Sequence, residues 1–228
     1  MNNKLINIAT VAEIAKALKE FKDQMIFVGG AVVSLYFDDG PIEETRQTDD
    51  IDVTINLVNY ASWVKMQERL LDLGFSPNPE GHAICSYLYN GISVDVMPSE
   101  DGPIGPANKW YKEGFGNLWD VEVEGQRIKI LSAPCFLATK FEAFNDRGKD
   151  YRTSHDFEDI INVLDNRTTI AEEIKKEPEI IQHFLKEEFI KVFNKSNFEE
   201  IMSCHLHPMI YDDRLPIILE KIKKIIMD

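Results

Sequence analysis

Cysteine is scarce in this 228-residue chain: Cys85, Cys135 and Cys204 stand far apart, with no C-x-x-C among them. That excludes a disulfide framework or a zinc ribbon and leaves reduced thiols as the simple reading. Positive charge is also short, with 25 Lys and Arg against 39 Asp and Glu, a formal net charge of -14. A protein so acidic does not clamp long duplex nucleic acid through its phosphates. No span of about 18 apolar residues occurs, so no membrane helix is expected. The opening MNNKLINIATVAEIAKAL has neither a long apolar core nor a cleavage site, and the expectation is a soluble, cytoplasmic protein. Two phosphate-binding signatures are missing as well. Neither G-x-x-x-x-G-K-[ST] nor G-x-G-x-x-G is found, which removes the main support for a P-loop or a Rossmann domain.

What is present suffices for a core. The apolar fraction of 44% suits one compact domain, or a core domain with a smaller helical one. Val11, Ile14, Ala15, Leu18 and Phe21 recur at helical spacing and predict a helix over Ala9 to Lys22, with Thr10 as its cap. Met25 to Val28 reads as a buried strand, Gly29-Gly30 as a turn, and Ala31 to Phe37 as the start of an apolar helix. A strand bearing Asp50-Ile51-Asp52 follows, then a helix over Asn59 to Leu73 ending at Gly74. His82 to Tyr89 and Ile92 to Met97 alternate as strands joined by Asn90-Gly91, and Leu118 to Val123 pairs with Arg127 to Leu131 through Glu124-Gly125. From Pro134 the pattern turns helical: Cys135 to Arg147, Ser154 to Leu164, and a charged remainder ending in an amphipathic Leu215 to Met227. The expected organisation is an α+β fold with an α/β core over residues 1–131 and a C-terminal helical domain over 132–228.

The chemistry is concentrated between Met25 and Leu57. Side chains alternate along a strand, so Asp50 and Asp52 share a face while Ile51, Val53 and Ile55 take the other. Asp95, flanked by Val94 and Val96, repeats the arrangement on a second strand. If the two strands are neighbours, three carboxylates converge, and without a cation they repel one another. Phosphoryl and nucleotidyl transfer use such acids to hold two Mg²⁺ ions about 3.5–4 Å apart. A glycine turn opening a helix is a natural place for phosphate. A calcium loop of the EF-hand type fails, because its sixth position must be glycine and, counted from Asp50, that position is Ile55. His205-x-His207 is a metal pair only if a third ligand joins it. Lys140 and Arg147, seven apart, share a helix face and read alternatively as surface cations. Thr153-x-x-Asp156 reads alternatively as a helix start with a first-turn acid. Trp63, Trp110 and Trp119 read as packing.

Taken together, Gly29-Gly30, a variable loop, Arg46-x-Thr48-x-Asp50-Ile51-Asp52 and the later Asp95 resemble the DNA polymerase β-type nucleotidyltransferase superfamily. Leu137-Ala138-Thr139-Lys140-x-x-Ala143, then Arg147, then His155-Asp156-Phe157-Glu158-Asp159-Ile160, resemble the helical motifs of AbiEii/AbiGii-type nucleotidyltransferase toxins. The resemblance spans roughly Met25 to Leu164 and implies a mixed sheet with flanking helices. It implies Asp50 and Asp52 as paired metal ligands and Asp95 as the third carboxylate, which activates the attacking hydroxyl. Gly29 and Gly30 would offer backbone N–H groups to a triphosphate, and Lys140 would neutralise phosphate charge. Asp156 would be the acid of the second half, with Arg147 and Asp159 in support. Two departures stand out: Gly-Gly followed by Ala31 replaces the commoner Gly-Ser, and His155 stands where a basic residue often precedes the second-half acid.

The expected activity is Mg²⁺-dependent transfer of a nucleoside monophosphate from an NTP to an acceptor hydroxyl, in a protein that resembles the toxin of a toxin–antitoxin pair. The acceptor is open among an RNA 3′ end, a protein hydroxyl and a small molecule, with the acidic charge favouring a cationic small molecule or a protein. The alternative is a nucleotidyltransferase-like module that binds nucleotide or a partner protein without catalysis.

Overall fold

The computed structural model of the chain describes residues 6–39, 46–57, 59–81, 85–102, 105–147 and 150–227. Two compact units form, Met1–Leu35 with Glu44–Ser132, and Tyr36–Glu43 with Ala133–Asp228.

The first unit is built on a seven-stranded mixed sheet of β1 (Met25–Val28), β2 (Asp50–Ile55), β3 (Ser76–Pro77), β4 (Ser86–Tyr89), β5 (Ile92–Pro98), β6 (Leu118–Val123) and β7 (Gln126–Leu131), in the order β3-β4-β5-β2-β1-β7-β6. β2 lies parallel to β5 and antiparallel to β1, while β1 runs parallel to β7. The central strand β1 is buried along its whole length, as its unbroken Met-Ile-Phe-Val run requires. β2 alternates instead: Ile51, Val53 and Ile55 are buried on one face, against Val94 and Val96 in the parallel register of β5. Asn90 and Gly91, both at positive φ (51° and 80°), form the two-residue turn between β4 and β5, the geometry an Asn-Gly pair favours.

Helix α1 (Ile8–Leu18) packs against β6 and β7, and α2 (Tyr60–Asp72) buries Trp63, Met66 and Leu70. The Gln67 amide donates to the Tyr87 hydroxyl at 3.1 Å; Tyr87 is paired with Val94, so α2 covers the apolar face of the sheet. Between β5 and β6 lies the short helix α3 (Lys109–Gly114), capped by Asn108.

Several expectations are corrected. The first helix is capped by Asn7, not Thr10: the Thr10 N–H donates to Asn7 Oδ1 at 3.0 Å, and the Asn7 N–H donates to Thr10 Oγ1 at 3.2 Å, a reciprocal capping box. The α-helix stops at Leu18, because Lys19 adopts φ 49°, and continues as a 3-10 helix over Lys19–Asp23. The expected helix after the glycine turn is a 3-10 helix, Gly30–Tyr36, whose β-branched Val32-Val33 pair disfavours the α form. Ser154, not Thr153, caps the helix that carries Asp156. The stretch His82 to Ile84 of the expected strand lies outside the described residues, and β4 is assigned from Ser86.

The second unit is helical: α4 (Ala133–Arg147), α5 (His155–Asn166), α6 (Ile170–Ile174), α7 (Glu179–Phe193), α8 (Phe198–Ser203) and α9 (Tyr211–Met227). α4 packs on α5 and α7, with Phe141 and Phe189 edge to face at 5.1 Å. The Lys221 ammonium of α9 donates to the carbonyls of Leu164 and Asp165 at 2.7 and 2.9 Å, closing the C-terminal turn of α5. Tyr36 stacks on Phe136, ring centroids 4.6 Å apart, and the amides of Asp38 and Asp39 donate to the Asn166 carbonyl. No helix among the described residues is long and apolar enough to cross a membrane.

The corrected cap is testable. Asn7→Ala should cost about 1 kcal/mol in urea unfolding; a change near zero would return the cap to Thr10.

Candidate active site

The sheet register assembles the acids. Asp52 is paired with Asp95 across the parallel β2/β5 ladder and with Val28 across the antiparallel β1/β2 ladder, while Asp50 lies opposite Ser93. Asp50, Asp52 and Asp95 therefore share one face, and each offers a carboxylate oxygen such that all three lie within 4.8 Å of one another. Each is partly buried, and among the described residues this is the one cluster of three or more metal-ligating side chains. The Thr48 hydroxyl donates to Asp50 Oδ1 at 3.3 Å and steadies that carboxylate.

Gly29 closes the site from the β1 side. It follows β1 at φ 73°, and a Cβ built there would stand 1.9 Å from Asp52 Oδ2. Only a residue without a side chain allows the backbone to lie against that carboxylate. Gly30 is crowded differently, since a Cβ there would stand 2.6 Å from a terminal nitrogen of Arg46. The Arg46 guanidinium thus lies on the glycine turn, beside the acids. The seven-residue 3-10 helix behind Gly30 does not supply the α-helical N-terminus expected from the sequence.

On the other side of the triad, away from β1, a cleft of about 630 Å³ opens over β3, β4 and the start of β5, reaching Asp50 and Asp95 at one end. Asn78 organises its wall. Its amide nitrogen donates to Ser86 Oγ at 3.3 Å and Ser93 Oγ at 3.1 Å, its Oδ1 accepts the Glu80 N–H at 3.1 Å, and its backbone N–H donates to the Ser86 carbonyl. Cys85 stands nearby, its carbonyl accepting the Val96 N–H at 2.8 Å. Burial, then the charges of Asp95 and Asp52, push its thiol above the ordinary range.

The acids fit a hard divalent cation. All three donors are carboxylate oxygens, the set that Mg²⁺ takes rather than the thiolates or imidazoles of softer metals. Their mutual spacing is short enough to share one ion or to bridge two.

The second-half residues form a cluster of their own within the helical unit. Lys140 is 6% exposed, which rules out the surface-cation reading for it. Its ammonium lies 2.6 Å from Asp159 Oδ2 and 3.5 Å from Asp156 Oδ1. Arg147, with its side chain 57% exposed, donates to Asp156 Oδ2 at 2.7 Å. Gly29, Gly30, Asp50, Asp52 and Asp95 therefore come together in the first unit, and Lys140, Arg147, Asp156 and Asp159 in the second. His205 is bound to the Tyr151 carbonyl at 2.7 Å. Arg46, Asn78 and Ser93 were not singled out as site residues from the sequence. Arg46 was visible in the R-x-T-x-D-x-D spacing, whereas Asn78 and Ser93 gave no local signal.

No protein-family model matches the chain, and no curated protein matches it. A solved structure does: an antigenic nucleotidyltransferase-like protein from Paracoccidioides brasiliensis superposes with a TM-score of 0.50 over 87% of this chain and 93% of that chain, at 17% identity. The chain has a nucleotidyltransferase fold of the α+β class.

Two variants test the geometry. Gly29→Ala should abolish Mn²⁺ binding by electron paramagnetic resonance. Gly91→Ala, also at positive φ but with nothing within 4 Å of the added carbon, should cost about 1–2 kcal/mol of backbone strain and leave Mn²⁺ binding intact. Lys140→Met removes the ammonium that lies between the buried Asp156 and Asp159, while Arg147 stays on Asp156, and should destabilise the fold by about 3–5 kcal/mol in denaturant unfolding.

Proposed function

We propose that the chain is a Mg²⁺-dependent nucleotidyltransferase that moves a nucleoside monophosphate from an NTP to an acceptor hydroxyl and releases pyrophosphate. The observation that carries this reading is the convergence of Asp50, Asp52 and Asp95 within 4.8 Å, beside a glycine backbone that a Cβ would drive into Asp52. Asp50, Asp52 and Asp95 are the residues that would hold the cations, and Asp95 takes the proton of the attacking hydroxyl. Bound between these acids, Mg²⁺ would polarise the α-phosphate and stabilise charge on the leaving pyrophosphate. The N–H groups of Gly29 and Gly30 face the phosphates, where the missing serine of the commoner Gly-Ser turn leaves recognition to the backbone. Arg46 adds the countercharge that the resemblance assigns to Lys140 and Arg147, because its guanidinium lies on the turn itself and Lys140 is engaged by two carboxylates of its own unit.

A narrower form of this reading is the toxin of a toxin–antitoxin pair, with a separate antitoxin protein as partner. The observation that favours it is the α4/α5 cluster of Lys140, Arg147, Asp156 and Asp159, the residues that resemble the helical motifs of AbiEii/AbiGii-type proteins.

Asp52→Asn should lower pyrophosphate release from NTP by more than about a hundredfold, since even partners that only orient a metal ligand are worth 10–100-fold, while circular dichroism stays native. If the toxin reading holds, induced expression arrests growth and the same substitution relieves the arrest. Full turnover in Asp52→Asn overturns the mechanism, and nucleotide binding without pyrophosphate release in the native chain would make it a binding module.

A further inference from the structure

The cleft beyond Asp95 indicates what the acceptor is. In an in-line displacement the attacking oxygen approaches opposite the leaving group. With the phosphates on the Gly29-Gly30 side of the triad, the acceptor enters from the β5 side, where the cleft opens. A volume of about 630 Å³ lies within the small-molecule range of roughly 300–1,000 Å³. The lining sets the hydroxyls of Ser76 and Ser93 beside Pro77, Pro79 and Leu88, while the Asn78 amide is committed to Ser86 and Ser93 and holds the wall in place. Among the described residues it contains no lysine, no arginine and no aromatic ring. A groove for single-stranded nucleic acid needs both a basic track and stacking platforms. The charges present are acidic: besides the triad, Asp49 and Glu80 line the opening. When the site is loaded, the charges of a triphosphate and its cations offset each other, so the acceptor faces the carboxylates of the triad together with Asp49 and Glu80.

We propose that this cleft, between the Asn78–Gly81 loop and the exposed face of β4 and β5, is the acceptor subsite, and that it takes a small hydroxyl-bearing cation of the amino-sugar or amino-alcohol class. The proposal rests on the nucleotidyltransferase reading above. The acceptor oxygen bonds to the α-phosphorus of the NTP, the bond from that phosphorus to the bridging oxygen of the β-phosphate breaks, the hydroxyl proton passes to Asp95, and pyrophosphate leaves. Ser76 and Ser93 position the ring, and Glu80 with Asp49 selects its charge.

The test uses three probes of one shape and different charge: glucosamine, glucose and glucose 6-phosphate. Each is titrated into the full-length protein loaded with Mg²⁺ and α,β-methylene-ATP, and binding is read by saturation-transfer NMR, so no turnover is required. Glucosamine should bind at least tenfold more tightly than glucose 6-phosphate, with glucose between. Glu80→Lys, at an exposed loop position, and Ser93→Lys, inside the cleft, should each compress or reverse that order. Equal or tighter binding of glucose 6-phosphate or of a trinucleotide RNA overturns the proposal. So does binding of none of the sugars while the nucleotide analogue binds, or an order unchanged in both variants. Failure of the nucleotide analogue itself to bind in the presence of Mg²⁺ is a different result: it removes the nucleotidyltransferase reading, and the acceptor subsite falls with it.

Discussion

Three carboxylates held within 4.8 Å of one another repel, and the parallel register of β2 against β5 holds them there regardless. Each ladder pair is fixed by the apolar residues between the acids: Ile51 opposite Val94 and Val53 opposite Val96 are buried on the far face. A slip of one residue would turn those side chains toward the acid face and bury the aspartates. Core packing on one side of the sheet therefore sets the electrostatics on the other. The cation chemistry proposed for the site offsets a repulsion that the hydrophobic core imposes.

The glycine turn depends on the same constraint. Because Val28 is paired with Asp52, the chain leaving β1 must pass directly beside that carboxylate, and Gly29 is what lets it pass. The returning loop then brings Arg46 over Gly30 and Thr48 onto Asp50. The proposed donor side is thus assembled from one end of β1 and the run into β2. The opposite side is left to β3, β4 and the Asn78 hydrogen bonds that shape the cleft. Two sides of one triad differ in charge: an arginine on the turn, and carboxylates with hydroxyls in the cleft.

The triad was legible because strand alternation is a local property: D-I-D flanked by apolar residues, and V-D-V later, specify two strands with apolar residues inward and three acids outward. Their adjacency was conditional on strand order, which no local pattern encodes. The Asn90-Gly91 turn was legible for the same local reason. The 3-10 form of Gly30–Tyr36 was not, since an apolar run with a β-branched pair reads as helix whether the turns are tight or regular. β3 has two residues and α3 six, too short to produce periodicity. Asn78 acts through contacts with Ser86 and Ser93, residues 8 and 15 positions away, and such a role is visible only once the sheet is formed. Lys140 looked like a surface cation at the edge of an apolar stripe, and its burial against Asp156 and Asp159 follows from α4/α5 packing rather than from spacing.

The central claim concerns which phosphorus is attacked. The direct measurement is incubation of the protein with Mg²⁺ and an amino-sugar acceptor, using ATP labelled with ³²P at either the α or the γ position, followed by chromatography of the acceptor. Nucleotidyl transfer predicts label on the acceptor from α-labelled ATP alone, with the γ label recovered in pyrophosphate. Label transferred from the γ position, or pyrophosphate never formed while inorganic phosphate accumulates, would contradict it.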